Sequence, residues 1–352
     1  VRRLLRELQG GVAGTGWRVF SFNGIHMNIS LLRSGLFGLL AATAAVLPLQ
    51  ATAQAYPAKP VKIVVGYSAG GAVDIVARTL GQSLSGSMGQ PFIVENKPGA
   101  GTNIAVRQVI DAPGDGYTLM LAANALAANM SLYQPAPFDA ERDMVAISLV
   151  GRVPVVIAAN VSAPYANVGA LIAAARARPD ALSFASPGNG STPHMAAELF
   201  ARAAGVQLQH IPYRGGAQAI TDVIGGQVPL LAMNALEVSP HVKSGKLKVL
   251  AVLSTNRSAI FPDVPTIAES GFPGFEASVW YALMAPAATP KAIVTQLHAE
   301  VQKALKTPEV QQRMTAVGGE VLPGSMEMVA RLLSTERQRY SKLVREANIK
   351  PD

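Results

Sequence analysis

Three short stretches of this sequence set glycines among hydroxyl and amide side chains, and each is the kind of loop that can hold a small anion. They are "GYSAGG" at 66–71, "SPGNGS" at 186–191 and "YRGG" at 213–216. Glycines let backbone N–H groups converge, and unsatisfied amides at the start of a helix, with the helix dipole behind them, favour a negative group. In the first stretch the candidate contacts are Tyr67, Ser68, Ala69, Gly70 and Gly71. Asp74, three residues further on, has two readings. It caps backbone amides and complements the dipole, or it faces the ligand, meeting an ammonium or hydroxyl and repelling an over-charged anion. In the second stretch the candidates are Ser186, Gly188, Asn189, Gly190, Ser191 and His194, set against an ordinary turn with Thr192 as helix N-cap and Pro193 in the first turn. In the third, Tyr213 offers a hydroxyl or a ring, Arg214 a partner for a carboxylate and Gly215 a free backbone, although an arginine beside two glycines can equally stay solvated. Asn124, behind another strand-like run, completes the set of ligand candidates.

What is missing decides the anion. No G-x-x-x-x-G-K-[ST] occurs, "YSAGGAVD" lacks the G-x-G-x-x-G spacing, and the first turn carries no lysine for a polyphosphate, so a carboxylate is the better fit. Hydrogen bonds to a charged group contribute about 1.5–3 kcal/mol each. Several of them from two lobes reach the roughly 8 kcal/mol of micromolar affinity. The histidines at 194, 210, 241 and 298 are singletons without metal-ligand spacing, and the chain has no cysteine, so neither a metal nor a cofactor is called. Ser191 and His194 invite a hydrolase reading that rests on those two residues alone. No catalytic residue is assigned.

The elements that must position these loops follow from hydrophobic period. From Lys62 onward short β-rich runs alternate with helical ones, the mark of parallel α/β construction. "KIVVGY", "PFIVEN" and "YTLMLAA" read as strands of one unit, with "AVDIVARTLGQSL" and "TNIAVRQVI" as its helices. "LSFASP", "LQHIPY", "VPLLAMN" and "LKVLAVL" read as strands of a second unit, with "PHMAAELFARAAG" and "AQAITDVIGG" as helices. "ISLVGRVPVVIAAN" and "VWYALMAP" cross between the units, and after the latter the sequence turns helical to its end. The Pro/Gly-rich "FPDVPTIAESGFPGF" is an ordered connection. Loops at the carboxyl ends of such strands face a crevice where ligands bind, and a hinged pair of units makes a cleft.

The 352 residues provide for two domains. Half of the formal net charge of +8 lies in the first 55 residues, where Arg2, Arg3, Arg6, Arg18 and Arg33 stand against Glu7. No dense basic stripe remains beyond them, which argues against nucleic acid. From Met27 a short basic segment, the apolar "SGLFGLLAATAAVLPL" and the small-x-small "AQA" at 53–55 read as a secretion signal cleaved after Ala55. The apolar run is interrupted by Pro48 and too short to span a bilayer. A soluble product outside the cytoplasmic membrane is expected.

Eight phrases, among them "YPAKPVKIVVGYSAGGAVDIVAR", "GQPFIVENKPGAGTNIAV", "LSFASPGNGSTPHMAAELF", "HIPYRGGAQAITDVIGGQV" and "RSAIFPDVPTIAESGFPGFE", resemble in order the recurring segments of tripartite tricarboxylate transporter substrate-binding proteins, the TctC-like or Bug family, over about residues 56–348. The resemblance implies an α/β, two-lobed periplasmic-binding-protein fold, type II-like. Two doubly wound domains would be joined by two crossing strands with a ligand cleft between, 56–157 and 280–352 forming one lobe and 158–279 the other. It implies a monomeric periplasmic receptor, not an enzyme, that closes on a small organic acid and presents it to integral membrane permease subunits. A ligand carboxylate would then be held, partly through ordered water, by the loops at Tyr67 to Gly71 with Asp74, at Ser186 to Ser191 and at Tyr213 to Gly215. The first loop departs from the family's usual F-P-P-G-G, since Ser68 adds a hydroxyl where proline is common. A sensory adaptor presenting the liganded form to a membrane sensor would use the same cleft.

Overall fold

A computed structural model describes residues 56–179, 181–213 and 215–351. The signal segment read at 27–55, and Arg214, lie outside the described residues. The fold is α/β with two lobes, each built on one mixed sheet.

The first sheet starts at β1 (Val61–Val65), a β-branched run buried on both faces, as a central strand must be. It pairs in parallel with β2 (Phe92–Asn96) and β3 (Thr118–Ala122). Helix α1 (Ala72–Met88) buries Val73, Val76, Ala77, Leu80 and Leu84 along one stripe and stops at Gly89, whose φ of 70° supplies the left-handed cap. Gly81 lets this helix lie close to β2, since a Cβ there would sit 3.1 Å from the Phe92 carbonyl oxygen. Helix α2 (Asn103–Ile110) leads to β3, and helices α3 (Ala125–Leu132) and α4 (Ala140–Asp143) follow it.

The long stretch "ISLVGRVPVVIAAN" is two strands. β4 (Met144–Val153) belongs to the first sheet and β5 (Val155–Asn160) to the second. Pro154 separates them because it has no N–H to continue a ladder. Its carbonyl accepts instead from the Ala235 amide at 3.1 Å.

In the second lobe come α5 (Val168–Ala177), β6 (Ser183–Ser186), α6 (Thr192–Ala204), β7 (Gln209–Pro212), α7 (Gly216–Ile224), β8 (Leu230–Asn234), α8 (Ala235–Lys243) and β9 (Leu247–Val252). The order of its sheet is β7-β6-β8-β5-β9. The Pro/Gly-rich connection then returns the chain to β10 (Val279–Pro286), buried throughout, and so to the first sheet. Helices α9 (Lys291–Ala304) and α10 (Pro308–Ala316), strand β11 (Glu320–Gly324) and helix α11 (Met326–Glu346) complete the first lobe.

Two expectations need correction. The sheets are not purely parallel, because the strands that travel between the lobes, β4, β5 and β10, arrive antiparallel to their neighbours. The chain is not wholly helical after β10 either, since β11 adds an edge strand to β4. Pro323 is tolerated in it because an edge needs only one side of the ladder.

Asn124 joins β3 to the rest of the first lobe. Its amide nitrogen shares its two hydrogens among the Ser278 carbonyl at 3.2 Å, Glu336 Oε2 at 3.3 Å and the Tyr340 hydroxyl at 3.0 Å. Its Oδ1 accepts from the Trp280 amide at 3.0 Å, and the residue is 2% exposed. Replacing it strands the buried Trp280 backbone N–H. Asn124→Ala is therefore expected to lower unfolding stability by about 3 kcal/mol, measured by urea denaturation.

Candidate functional site

The first loop leaves β1 at Gly66 and enters α1 after Gly71. Ser68, Ala69 and Gly70 are exposed, and Gly70 takes a φ of 87° that only glycine adopts without strain. Asp74 follows the first of its two readings in that, from the first turn of the helix, it accepts a backbone amide, that of Gly70. The N-cap is Gly71 and no side chain caps this helix. Asp74 Oδ2 accepts the Gly70 amide at 2.9 Å and Arg78 Nε at 3.0 Å, while its Oδ1 accepts Asn96 Nδ2 at 2.9 Å. That same Asn96 nitrogen donates to the Tyr67 carbonyl at 3.0 Å. Asp74 is 3% exposed and braces the loop from behind. Burial alone would push its carboxyl up; the hydrogen bonds from Arg78, Gly70 and Asn96 outweigh this and hold it below the usual range. With the brace in place, the amides of Ala72, Val73 and Asp74 head the helix without intrahelical acceptors.

Gly66-Tyr67-Ser68-Ala69-Gly70 also satisfies the G-x-S-x-G spacing of a nucleophile elbow, a match the sequence analysis passed over. An elbow needs a strained serine with a histidine in reach. Ser68 is not among the residues of positive φ, and His194 and His210 are engaged in the other lobe.

A second turn of the first lobe was missed. At the carboxyl end of β2, Gly99, Ala100, Gly101 and Thr102 take φ of 131°, 46°, 60° and 83° in succession. Two of these are not glycine, and such strain persists only where the surroundings over-determine it. Here Thr102 is pressed against Gly66, where a Cβ would lie 2.7 Å from the Thr102 Cβ. The buried Asn129 amide donates to the Gly101 carbonyl and to Asn103 Oδ1, both at 2.7 Å. The signal was present in "KPGAGTN", which stands to β2 as "GYSAGG" stands to β1.

In the second lobe Ser186 ends β6 fully buried, its hydroxyl 2.7 Å from His210 Nε2. Gly188 and Gly190 take φ of 130° and 71° around the half-buried Asn189. The N-cap of α6 is Ser191 rather than Thr192: its Oγ accepts the His194 amide at 3.3 Å and donates to the Gly188 carbonyl at 2.8 Å. The His194 ring does not receive the Ser191 hydroxyl. Its Nδ1 accepts the Gly190 amide at 3.1 Å, and the ring stacks on His210 with centroids 3.7 Å apart. The serine–histidine pairing behind the hydrolase reading is thus not made. The Tyr213 amide donates to the Ser186 carbonyl, and the Tyr213 hydroxyl to Asp222 Oδ2 at 2.7 Å. Gly215, with a φ of 129°, opens α7 into free space.

The loops of the two lobes meet across α3. A Cβ on Gly190 would strike the Leu132 side chain and lie 4.0 Å from Asn129 Oδ1. Asn129 in turn holds the Gly101 turn, and that turn abuts Gly66. Three glycine-bearing segments thus share one neighbourhood in which backbone polar groups can converge. Asn124 is not part of it, because its polar atoms are all bonded within the first lobe. A cavity of about 220 Å³ lined by Arg152, Pro154, Ser254, Arg257 and Ser278 lies at the crossing of the chain and includes none of these loop residues. Among the described residues no group of three or more histidine, aspartate or glutamate side chains could hold a metal ion.

Burial pushes His194 down to about 2, with His210 adding to it, and pushes His210 down to about 4. Both are neutral in the fold but take up a proton near 6.5 in the unfolded chain. Their contribution to stability is complete above that value and declines as pH falls below it. The loss approaches about 1.4 kcal/mol per pH unit for each histidine. Urea midpoints measured from pH 7 to pH 5 are expected to fall, and His210→Asn is expected to make the fall shallower.

The chain matches the family described as tripartite tricarboxylate transporter family receptor over residues 76–349. Protein BugT of Bordetella pertussis is 36% identical over 326 residues, 92% of this chain and 99% of that protein. The structure of the periplasmic binding protein BugD is similar with a TM-score of 0.74 at 35% identity, over 84% of this chain and all of that one. The structure of R. palustris Rpa4515 with adipate has a TM-score of 0.77 at 33% identity, again over 84% of this chain and 100% of the other. Among the described residues no helix is long and apolar enough to cross a membrane. With two lobes, glycine turns gathered between them and a family match over most of its length, the chain belongs to the TctC family of tripartite tricarboxylate transporter receptors.

Proposed function

We propose that this protein is a periplasmic solute-binding receptor that captures a small carboxylate-bearing metabolite between its lobes and delivers it to a tripartite tricarboxylate-type membrane transporter. The observation that carries the reading is the approach of Gly190, from the second lobe, to Leu132 and to Asn129, the residue that holds the Gly101 turn of the first. Backbone amides from both lobes then face one ligand, and its binding draws the lobes together. The lobes in this reading are the two sheets with their helices, the chain passing between them at Pro154 and again before Val279. The adipate in the Rpa4515 structure supports a carboxylate as the class of ligand. The loops contribute hydrogen-bond donors, and the serine hydroxyl held against a histidine, Ser186 beside His210, is fully buried, which fits capture and release of an unchanged solute.

Thermal unfolding in the presence of mono-, di- and amino-carboxylates tests the reading. A true ligand at about 100 times its dissociation constant adds about 2.7 kcal/mol and raises the midpoint. A panel in which no carboxylate moves the midpoint overturns the proposal. Gly190→Ala puts a methyl group against Leu132 on a left-handed backbone. It is expected to lower stability by about 1–3 kcal/mol and to weaken whatever ligand the panel finds, measured by calorimetric titration.

A further inference from the structure

Behind the glycine turns, where the chain crosses between the lobes, lies a polar cluster that carboxylate capture does not use. Glu237 stands in the first turn of α8, and Asn234 Nδ2 donates to its Oε1 at 2.7 Å. Its Oε2 lies against Gly216, where any Cβ would collide with it, so the glycine beside Gly215 makes room for a carboxyl group. Asn234 pairs with Val155, the first residue of the second sheet after the crossing, and its Oδ1 is buried without a partner. Tyr281, on the returning strand β10, is fully buried, and its hydroxyl also has no partner. The Tyr67 hydroxyl of the first loop and the Glu237 carboxyl are both close enough to add to the effect of burial in raising the Tyr281 hydroxyl, and burial raises Glu237 itself. Residues of both lobes and of the crossing strand therefore contribute to one polar cluster, in which Tyr281 is buried and Asn234 and Glu237 are half-buried.

The atoms offered there are of one kind. Asn234 Oδ1 and Glu237 Oε2 accept hydrogen bonds, and Tyr281 Oη can accept as well as donate. A buried acceptor set with a carboxyl at its centre complements a group that brings several donors and a positive charge. Resting on the carboxylate-capture reading, we infer that the end of the ligand opposite its carboxylate is an ammonium, so that the preferred solute is a small zwitterion held between the glycine turns and Glu237, Asn234 and Tyr281. A second carboxylate at that end would instead meet Glu237 and leave the acceptors unpaired.

Matched probes separate the possibilities: 3-aminopropanoate, 4-aminobutanoate and 5-aminopentanoate, the dicarboxylates of the same chain lengths, and the corresponding unsubstituted acids. Each is tested by thermal shift and calorimetric titration on the purified protein. At least one amino acid is expected to bind about ten- to a hundredfold more tightly than its dicarboxylate counterpart. Glu237→Gln keeps an acceptor for Asn234 but removes the charge, and is expected to abolish that preference. Tyr281→Phe is expected to diminish it, and serves if Glu237→Gln does not fold. Dicarboxylates binding as well as or better than the amino acids overturn the inference while leaving carboxylate capture standing. A preference for the amino acids that survives in both variants overturns the role given to the cluster. If no acid of any kind binds, the carboxylate reading falls with it.

Discussion

The 2.7 Å hydrogen bond from the buried Asn129 amide to the Gly101 carbonyl holds a turn that the backbone would not adopt unaided. Ala100 and Thr102 both sit at positive φ in it, and such residues cost of order 1–3 kcal/mol each. The turn persists because Asn129 anchors it from one side and the absence of a side chain at Gly66 admits Thr102 from the other. The same helix presents Leu132 to Gly190 of the second lobe. One short, almost wholly buried helix thus sets the position of two turns in its own lobe and of one in the facing lobe.

Around that centre polar side chains position the backbone of the glycine turns. Asp74 gathers Gly70, Arg78 and Asn96, and Ser191 and His194 together fix the amide and carbonyl groups of the Gly188–Gly190 turn. The buried charge of Asp74 is compensated within the loop itself, by Arg78 and by amide donors.

The contacts between the lobes combine firm and loose elements. Met195 of the second lobe is fully buried in a cluster with Leu126, Leu132 and Trp280 of the first, and its apolar area favours the lobes staying together. The Arg202–Glu346 ion pair between α6 and α11 has both side chains at least a third exposed, 36% and 45%, so it adds little. An apolar contact without direction can slide, whereas a network of directed hydrogen bonds would resist.

Much of the fold was legible from period and punctuation. "VWYALMAP" matches β10 residue for residue, because a buried strand between lobes is an unbroken apolar run, and α1 shows its stripe of Val73, Val76, Leu80 and Leu84 plainly. Helix α3 was not legible, since it is buried on all sides and has no polar face to reveal a period. α8 hides behind Pro240, and β11 behind Pro323 and Gly324. In the candidate site, the glycine turns at strand ends were readable as turns because backbone freedom is a property of residue type. What the side chains between them do was not, because Asp74, Asn124 and His194 each take their role from partners that only folding brings near. The sequence by itself determined the class of fold, the family and the loops. Tertiary structure decided which polar groups of those loops are already paired, because hydrogen bonding is satisfied in space, among residues as far apart as Asn124 and Tyr340, and leaves no pattern along the chain.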